Sequence, residues 1–317
     1  MTRDDQKPPT ANERDSPTTG DKRPPTATET DGGVTMGHEN APNTARSTVL
    51  GSNGQIRAIA ALEYRLSLRS RWTLALTALF GLLSLLVVGF GGTGPGPMRI
   101  DAVIVSLASL STYLVPLAAL VYGFDAIVGA EETGWLDMVF ALPVSRSRVV
   151  FGTFLGRAAS LAAATSVGFG LGGIALFLRS NTVPWALYAN VLFGTVCLGL
   201  AFLAVSVLVS TVASEKTHAL GIALLVWVWL VFGYDLAALG LITAFDLPSV
   251  ALSGLVLANP IDIFRVFVLS GINSAGSGMT AVVAQTDLST SVLIVGALAW
   301  IVTPVGIATR LIRRRSL

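Results

Sequence analysis

Six long apolar runs, separated by short polar stretches, set the pattern of the chain: residues 72–91, 102–124, 158–178, 185–208, 219–244 and 291–312. Each is about the 20 residues that a helix needs to cross the hydrocarbon of a bilayer. A seventh run, 250–269, is interrupted by Asn259, Pro260, Asp262 and Arg265. Asp and Arg each cost about 2.5–3.5 kcal/mol at a helix centre in a membrane. The break therefore predicts two short helices outside or at the interface, between spans five and six. Ahead of the first span, Ile56, Ile59, Ala60, Tyr64 and Leu68 recur at helical spacing against Arg57, Glu63, Arg65 and Arg69. That spacing predicts an amphipathic helix over 55–71 lying in the interface, with a plain basic flank as the alternative. The expected fold is all-α: a polytopic membrane protein with a six-span domain over 72–317.

Residues 1–54 are a different polymer, rich in Pro, Thr, Asp, Gly and Asn and poor in large apolar side chains. Such a segment cannot bury enough surface to offset its ordering entropy, so a disordered cytoplasmic tail is expected. No apolar stretch follows its early charges, as a secretory signal would require. Met36 is a second candidate start.

Charge then orients the spans. One side collects Arg57, Arg65, Arg69, Arg71, Arg146, Arg148, Arg157, Lys216, Arg310, Arg313, Arg314 and Arg315; the other has Arg99, Arg179 and Arg265. Twelve against three puts both termini in the cytoplasm. The single cysteine, Cys197, and two histidines, His38 and His218, offer neither an internal disulfide nor a metal cluster. Met98 and Met279 are isolated and read as loop residues, not as metal ligands. No metal is expected on this chain, and no nucleic-acid partner.

The loop between spans two and three carries Trp135, Leu136, Val139 and Phe140 on one face of a short helix that Thr133 or Gly134 opens and Pro143 ends. An apolar face on a cytoplasmic loop suits a partner's groove, or else a lipid surface. Asp125 and Asp235 are acids inside or at the edge of spans, a functional signal by default. An aspartyl dyad would need them side by side, yet Asp125 ends an inward span and Asp235 lies about 24 Å above the start of an outward one. An intramembrane protease is thus a remote alternative, and a secondary transporter or channel a nearer one. Gly152 and Gly156, then Gly168 and Gly172, have the spacing that lets helices approach closely, within one protomer or across a dimer.

The Glu132-x-Gly134 step, the short helix and the Pro143-x-Ser145-Arg146 ending resemble the coupling segment of type-2 ABC transporter permeases. The resemblance implies that Glu131, Glu132, Gly134, Trp135, Val139, Phe140, Pro143 and Arg146 meet a separate ATPase subunit, together with the interfacial helix. Trp135 departs from the threonine that the family often has there. The chain has no Gly-x-x-x-x-Gly-Lys-Ser/Thr run, so ATP and Mg belong on that partner and no enzyme activity is expected of this chain.

A narrower resemblance runs from about residue 55 to the end. Ser106–Leu110 through Pro116, Asp125–Gly129, Glu215–Lys216 with Asp235, Leu257–Arg265 and Leu269–Gly271 are similar to the permeases of ABC transporters that mature nitrous oxide reductase. That likeness implies a homodimer of permeases in the lipid bilayer, two ATPase copies inside, and a β-helical protein outside. It also implies a copper-delivering lipoprotein and a role in copper-site assembly. Asn259 is a good N-cap, Pro260 fits the first helical position and Asp262 suits the helix start. A helix over 260–269 would carry Ile261, Phe264 and Val268 on one face and an exposed Asp262–Arg265 pair on another. The expectation is that Asn259, Pro260, Asp262, Phe264 and Arg265 form the docking site for the outer partner, Phe264 packing into the bundle mouth while Arg265 and the 271–278 loop meet that partner; the alternative is a helix resting its apolar face on the outer leaflet.

Overall fold

A computed structural model describes residues 52–68, 70–91, 100–135, 145–180, 183–245, 247–269 and 288–314. Among them the secondary structure is entirely helical. Helix α1 (Ser52–Leu68) is followed by α2 (Arg71–Phe90), α3 (Ile100–Gly123) and the short α4 (Val128–Glu132). Then come α5 (Arg146–Arg179), α6 (Trp185–Val212), α7 (Lys216–Val228) and α8 (Tyr234–Ala244). The order ends with α9 (Ser249–Leu257), α10 (Pro260–Leu269) and α11 (Thr290–Arg314). Six stretches are long and apolar enough to cross a membrane: α2, α3 with α4, α5, α6, α7 with α8, and α11. Each contains most or all of one of the six apolar runs of the sequence. The bent pair α9 and α10 would make a seventh only if counted as one span.

Small residues decide which helices meet. A Cβ on Gly168 would lie 2.6 Å from the Phe80 Cβ and 2.9 Å from the Gly81 nitrogen, so α2 and α5 touch backbone to backbone. Ser84 fastens that contact by donating to the Gly168 carbonyl at 2.9 Å. Further along α5, Gly152 and Gly156 bring α1 equally near: a Cβ on Gly156 would sit 2.7 Å from the Ala60 carbonyl oxygen. The glycine spacing of the sequence is therefore used for packing inside one protomer. On the other side of the bundle, α3 lies on α6. Ser206 donates to the Leu120 carbonyl at 2.7 Å, and Ser210 accepts from the Ile127 and Val128 amides at 2.9 and 3.1 Å. The last two bonds satisfy amides freed where α3 breaks before α4.

Helix α5 starts at Arg146, ahead of its apolar run, because its first turns pack on α1. At its far end Arg179 donates to the Val88 and Gly89 carbonyls, the open acceptors at the end of α2. Between α7 and α8 the chain makes a π-turn, Trp229–Gly233, closed by the Tyr234 amide on the Trp229 carbonyl. Trp227 fixes this segment to α3 by donating to the Tyr113 carbonyl at 3.1 Å.

At the polar break in the seventh run two short helices form, bent by 107°, and α10 packs among α3, α6 and α11. Phe264 and Phe267 rest on Gly194 of α6, where a Cβ would find them at 3.0–3.2 Å. The charges that argued against burial are paired there, as described below.

Candidate functional site

Two polar clusters stand out in an otherwise apolar bundle. The first lies at the arginine-rich end, where α1, α3 and α5 converge. Arg157 projects from α5, and its Nε donates to Glu63 Oε1 on α1 at 3.0 Å. One terminal nitrogen donates to Asp125 Oδ1 and to the Tyr122 carbonyl, each at 2.7 Å. The guanidinium also lies 5.7 Å from the centre of the Tyr122 ring, within cation–π range. Arg157 and Glu63 are 16% and 18% exposed and Asp125 41%, so the network is a half-sheltered one and stronger than a surface pair. A cavity of about 250 Å³ adjoins it, lined by Glu63, Ser67, Ser70, Tyr122, Asp125 and Arg157 among others.

Nearby, Glu132 at the end of α4 accepts from the Lys216 amide at 2.8 Å and faces its Nζ at 3.3 Å. That pair ties the end of span two to the start of span five. Arg148 donates to Gln55 at 2.7 Å, another link between α1 and α5. Gly134 has φ +70°, a conformation other residues resist, and separates α4 from Trp135. Trp135 is half-buried against the bundle core, so it is less of an exposed knob than its sequence context suggests. Arg146 opens α5. Val139, Phe140 and Pro143 lie outside the described residues.

The second cluster joins α8 to α10. Asn259 caps α10 by accepting from the Ile261 amide at 3.0 Å, and its Nδ2 donates to the Leu230 carbonyl in the π-turn at 2.9 Å. Tyr234 donates to the Leu255 carbonyl at 2.6 Å. One terminal nitrogen of Arg265 reaches Asp235 Oδ2 at 2.7 Å and Asp262 Oδ1 at 3.1 Å.

Asn259, Pro260, Asp262 and Phe264 are buried, and Arg265, 17% exposed, turns onto two aspartates. They hold the bent pair in the bundle. The Asp262–Arg265 pair predicted for the helix surface exists, but inside. Asp125 and Asp235 each engage a different arginine, and the structure does not bring them together. Among the described residues no group of three or more His, Cys, Asp or Glu side chains could hold a metal.

Arg157, Glu63 and Tyr122 were not singled out by sequence reasoning. The signal was present: an arginine opening a run of small apolar residues, at the same end as Asp125, has reason to seek it. Asp235's partner was hidden, because thirty residues and a sharp bend separate it from Arg265.

The chain matches the model of the ABC-2 family transporter protein over residues 57–317. It is similar to the probable ABC transporter permease protein NosY of Pseudomonas aeruginosa, 36% identical over 267 residues, with 81% of this chain and 97% of that protein covered. The protein of that name from Stutzerimonas stutzeri is also 36% identical, over 273 residues, with 82% and 99% covered. With six membrane-spanning stretches and these matches, the chain belongs to the ABC-2 transporter family, as a NosY-like multi-pass permease of the cell membrane.

Proposed function

We propose that this permease receives the work of a separate ATPase subunit at its arginine-rich end, in a complex of two permeases and two ATPases, and serves copper-site maturation of nitrous oxide reductase. The observation that carries the coupling part is the Arg157 network. It links α1, the end of span two and the long α5, the elements on which an ATPase would push. The Glu132–Lys216 pair extends the link to span five. The maturation role rests on the sequence resemblance, which also supports a β-helical partner and a copper-delivering lipoprotein on the opposite face. ATP and Mg are held by the ATPase and copper by the outer partners.

Co-purification tests the coupling. Replacing Trp135 and Phe140 together with Asp is expected to release the ATPase while the permease still inserts in the membrane. Undiminished ATPase recovery would reject the loop as the docking element.

The same reading puts the arginine-rich end in the cytoplasm. Single cysteines introduced by Ser274→Cys and Ser316→Cys in a Cys197→Ser background check it with an impermeant thiol reagent on intact cells. Labelling is expected at 274 only; labelling at 316 only means the opposite orientation.

A further inference from the structure

The cavity of about 250 Å³ beside the Arg157 network has walls of two kinds. Glu63, Ser67, Asp125 and Arg157 make one side polar, while Leu66, Trp72, Val121 and Phe124 make the other apolar. Ser70 and Trp72 stand at the start of span one, and Val121 and Phe124 at the end of α3. The cavity therefore lies at a boundary of the membrane, where lipid headgroups are the neighbours. Leu66 and Trp72 at its rim are 57% and 60% exposed, so the apolar side faces what surrounds the bundle.

The polar side is one negative charge in excess. Glu63 and Asp125 share a single cation, Arg157. Each gives it one oxygen, Oε1 and Oδ1. Among the described residues the second oxygen of neither acid has a hydrogen-bond partner. Ser67 adds an independent sign. It is only 8% exposed, and its carbonyl accepts the Ser70 amide at 2.9 Å. Its hydroxyl, on the cavity wall, has no partner among the described residues. A sheltered hydroxyl ordinarily finds one, commonly the carbonyl four residues back in its helix. Three open acceptors thus line one cavity.

We propose that this cavity binds the primary ammonium head of a membrane phospholipid, of the phosphatidylethanolamine class. A primary ammonium has three N–H donors and one positive charge. It answers the three open acceptors and the one charge in excess. A quaternary choline head carries the charge but no donor, and leaves the oxygens unfilled. The volume is room for about eight waters, which suits a headgroup and not a polypeptide segment. The lipid phosphate then falls at the mouth, where Arg71, between Ser70 and Trp72, is exposed. The apolar half of the lining selects a lipid over a free amine.

Thermal melting of the full-length permease in detergent tests this, with dioleoyl phosphatidylethanolamine, phosphatidylcholine, phosphatidylglycerol or free ethanolamine added. Phosphatidylethanolamine at about tenfold over its Kd is expected to raise the melting temperature by roughly 4 °C, and each of the others by less than about 1 °C. Asp125→Asn removes the excess charge and leaves Arg157 one carboxylate; it should weaken phosphatidylethanolamine binding about tenfold. Ser67→Leu, which fills the cavity and leaves the three charged side chains in place, should abolish the shift.

Equal shifts from phosphatidylethanolamine and either other lipid mean unspecific stabilisation and overturn the proposal. An equal shift from free ethanolamine assigns the cavity to a soluble amine and overturns the lipid. The full shift retained in both variants places the lipid elsewhere and overturns it too. Should a variant fail to fold, the wild-type comparison of the four additives decides alone. No ATPase takes part, so the result stands apart from the coupling role of the network.

Discussion

Replacing Gly168 with Leu is expected to abolish recovery of a monodisperse, folded permease. The first atom of any side chain there meets the Phe80 Cβ at 2.6 Å and the Gly81 nitrogen at 2.9 Å, and a backbone atom cannot swing aside as a flexible side chain can. The two helices must separate, which breaks the Ser84 bond to the Gly168 carbonyl. Overpacking of this kind costs about 3 kcal/mol, a large share of a domain's total stability. Gly170→Leu is the control, since a Cβ there meets nothing within 4 Å. Size-exclusion profiles in detergent and melting temperatures compare the two. Equal behaviour would mean that the α2–α5 contact is not made as described.

The second large effect is expected at Arg157. Arg157→Met removes the cation between Glu63 and Asp125 and leaves the Tyr122 carbonyl without its donor. Breaking a sheltered ion pair from one side costs about 3–5 kcal/mol; Asp125 is 41% exposed, so the lower end of that range is expected. Adding Glu63→Gln and Asp125→Asn should recover much of the stability, because no charge is then stranded. It should not recover ATP-driven activity if the ion network carries motion from α1 to α3. Thermal melting in nanodiscs reads the first outcome and ATPase stimulation by the permease reads the second. A triple variant that regains stability and full stimulation would show that the network is structural only.

The spans were legible in the sequence because a membrane makes hydropathy nearly decisive: Trp72 onward or Trp185 onward has no stable place except hydrocarbon. The early start of α5 was not legible. Residues 146–157 carry three arginines, which kept them out of the span read from hydropathy, and Gly152 and Gly156 admit α1 against them. The cap at Asn259 could be read locally, since an N-cap is a matter of three or four consecutive residues. The burial of Asp262 could not. Helical spacing puts Asp262 and Arg265 on one side of α10, but whether that side meets water or another helix depends on Asp235, which belongs to a different element. The glycine pairs announced close packing, though only the three-dimensional contacts show that α1 and α2 are what they pack against.

The π-turn of the fifth span has a consequence for winding phase. A five-residue π-turn inserts one residue relative to an α-helix, so every side chain beyond it is rotated by about 100° from its ordinary direction. If Trp229–Gly233 rewound as α-helix, Asp235 would take the direction now held by Leu236, which is 72% exposed on the bundle's apolar surface. A carboxylate facing hydrocarbon costs about 2.5–3.5 kcal/mol near the membrane centre, and Arg265 would lose its partner as well. The misplaced turn and the buried charge thus hold each other in place. Span five can therefore straighten only if Asp235 lets go of α10, which makes the ion pair a lock on the rotational setting of the far half of this span.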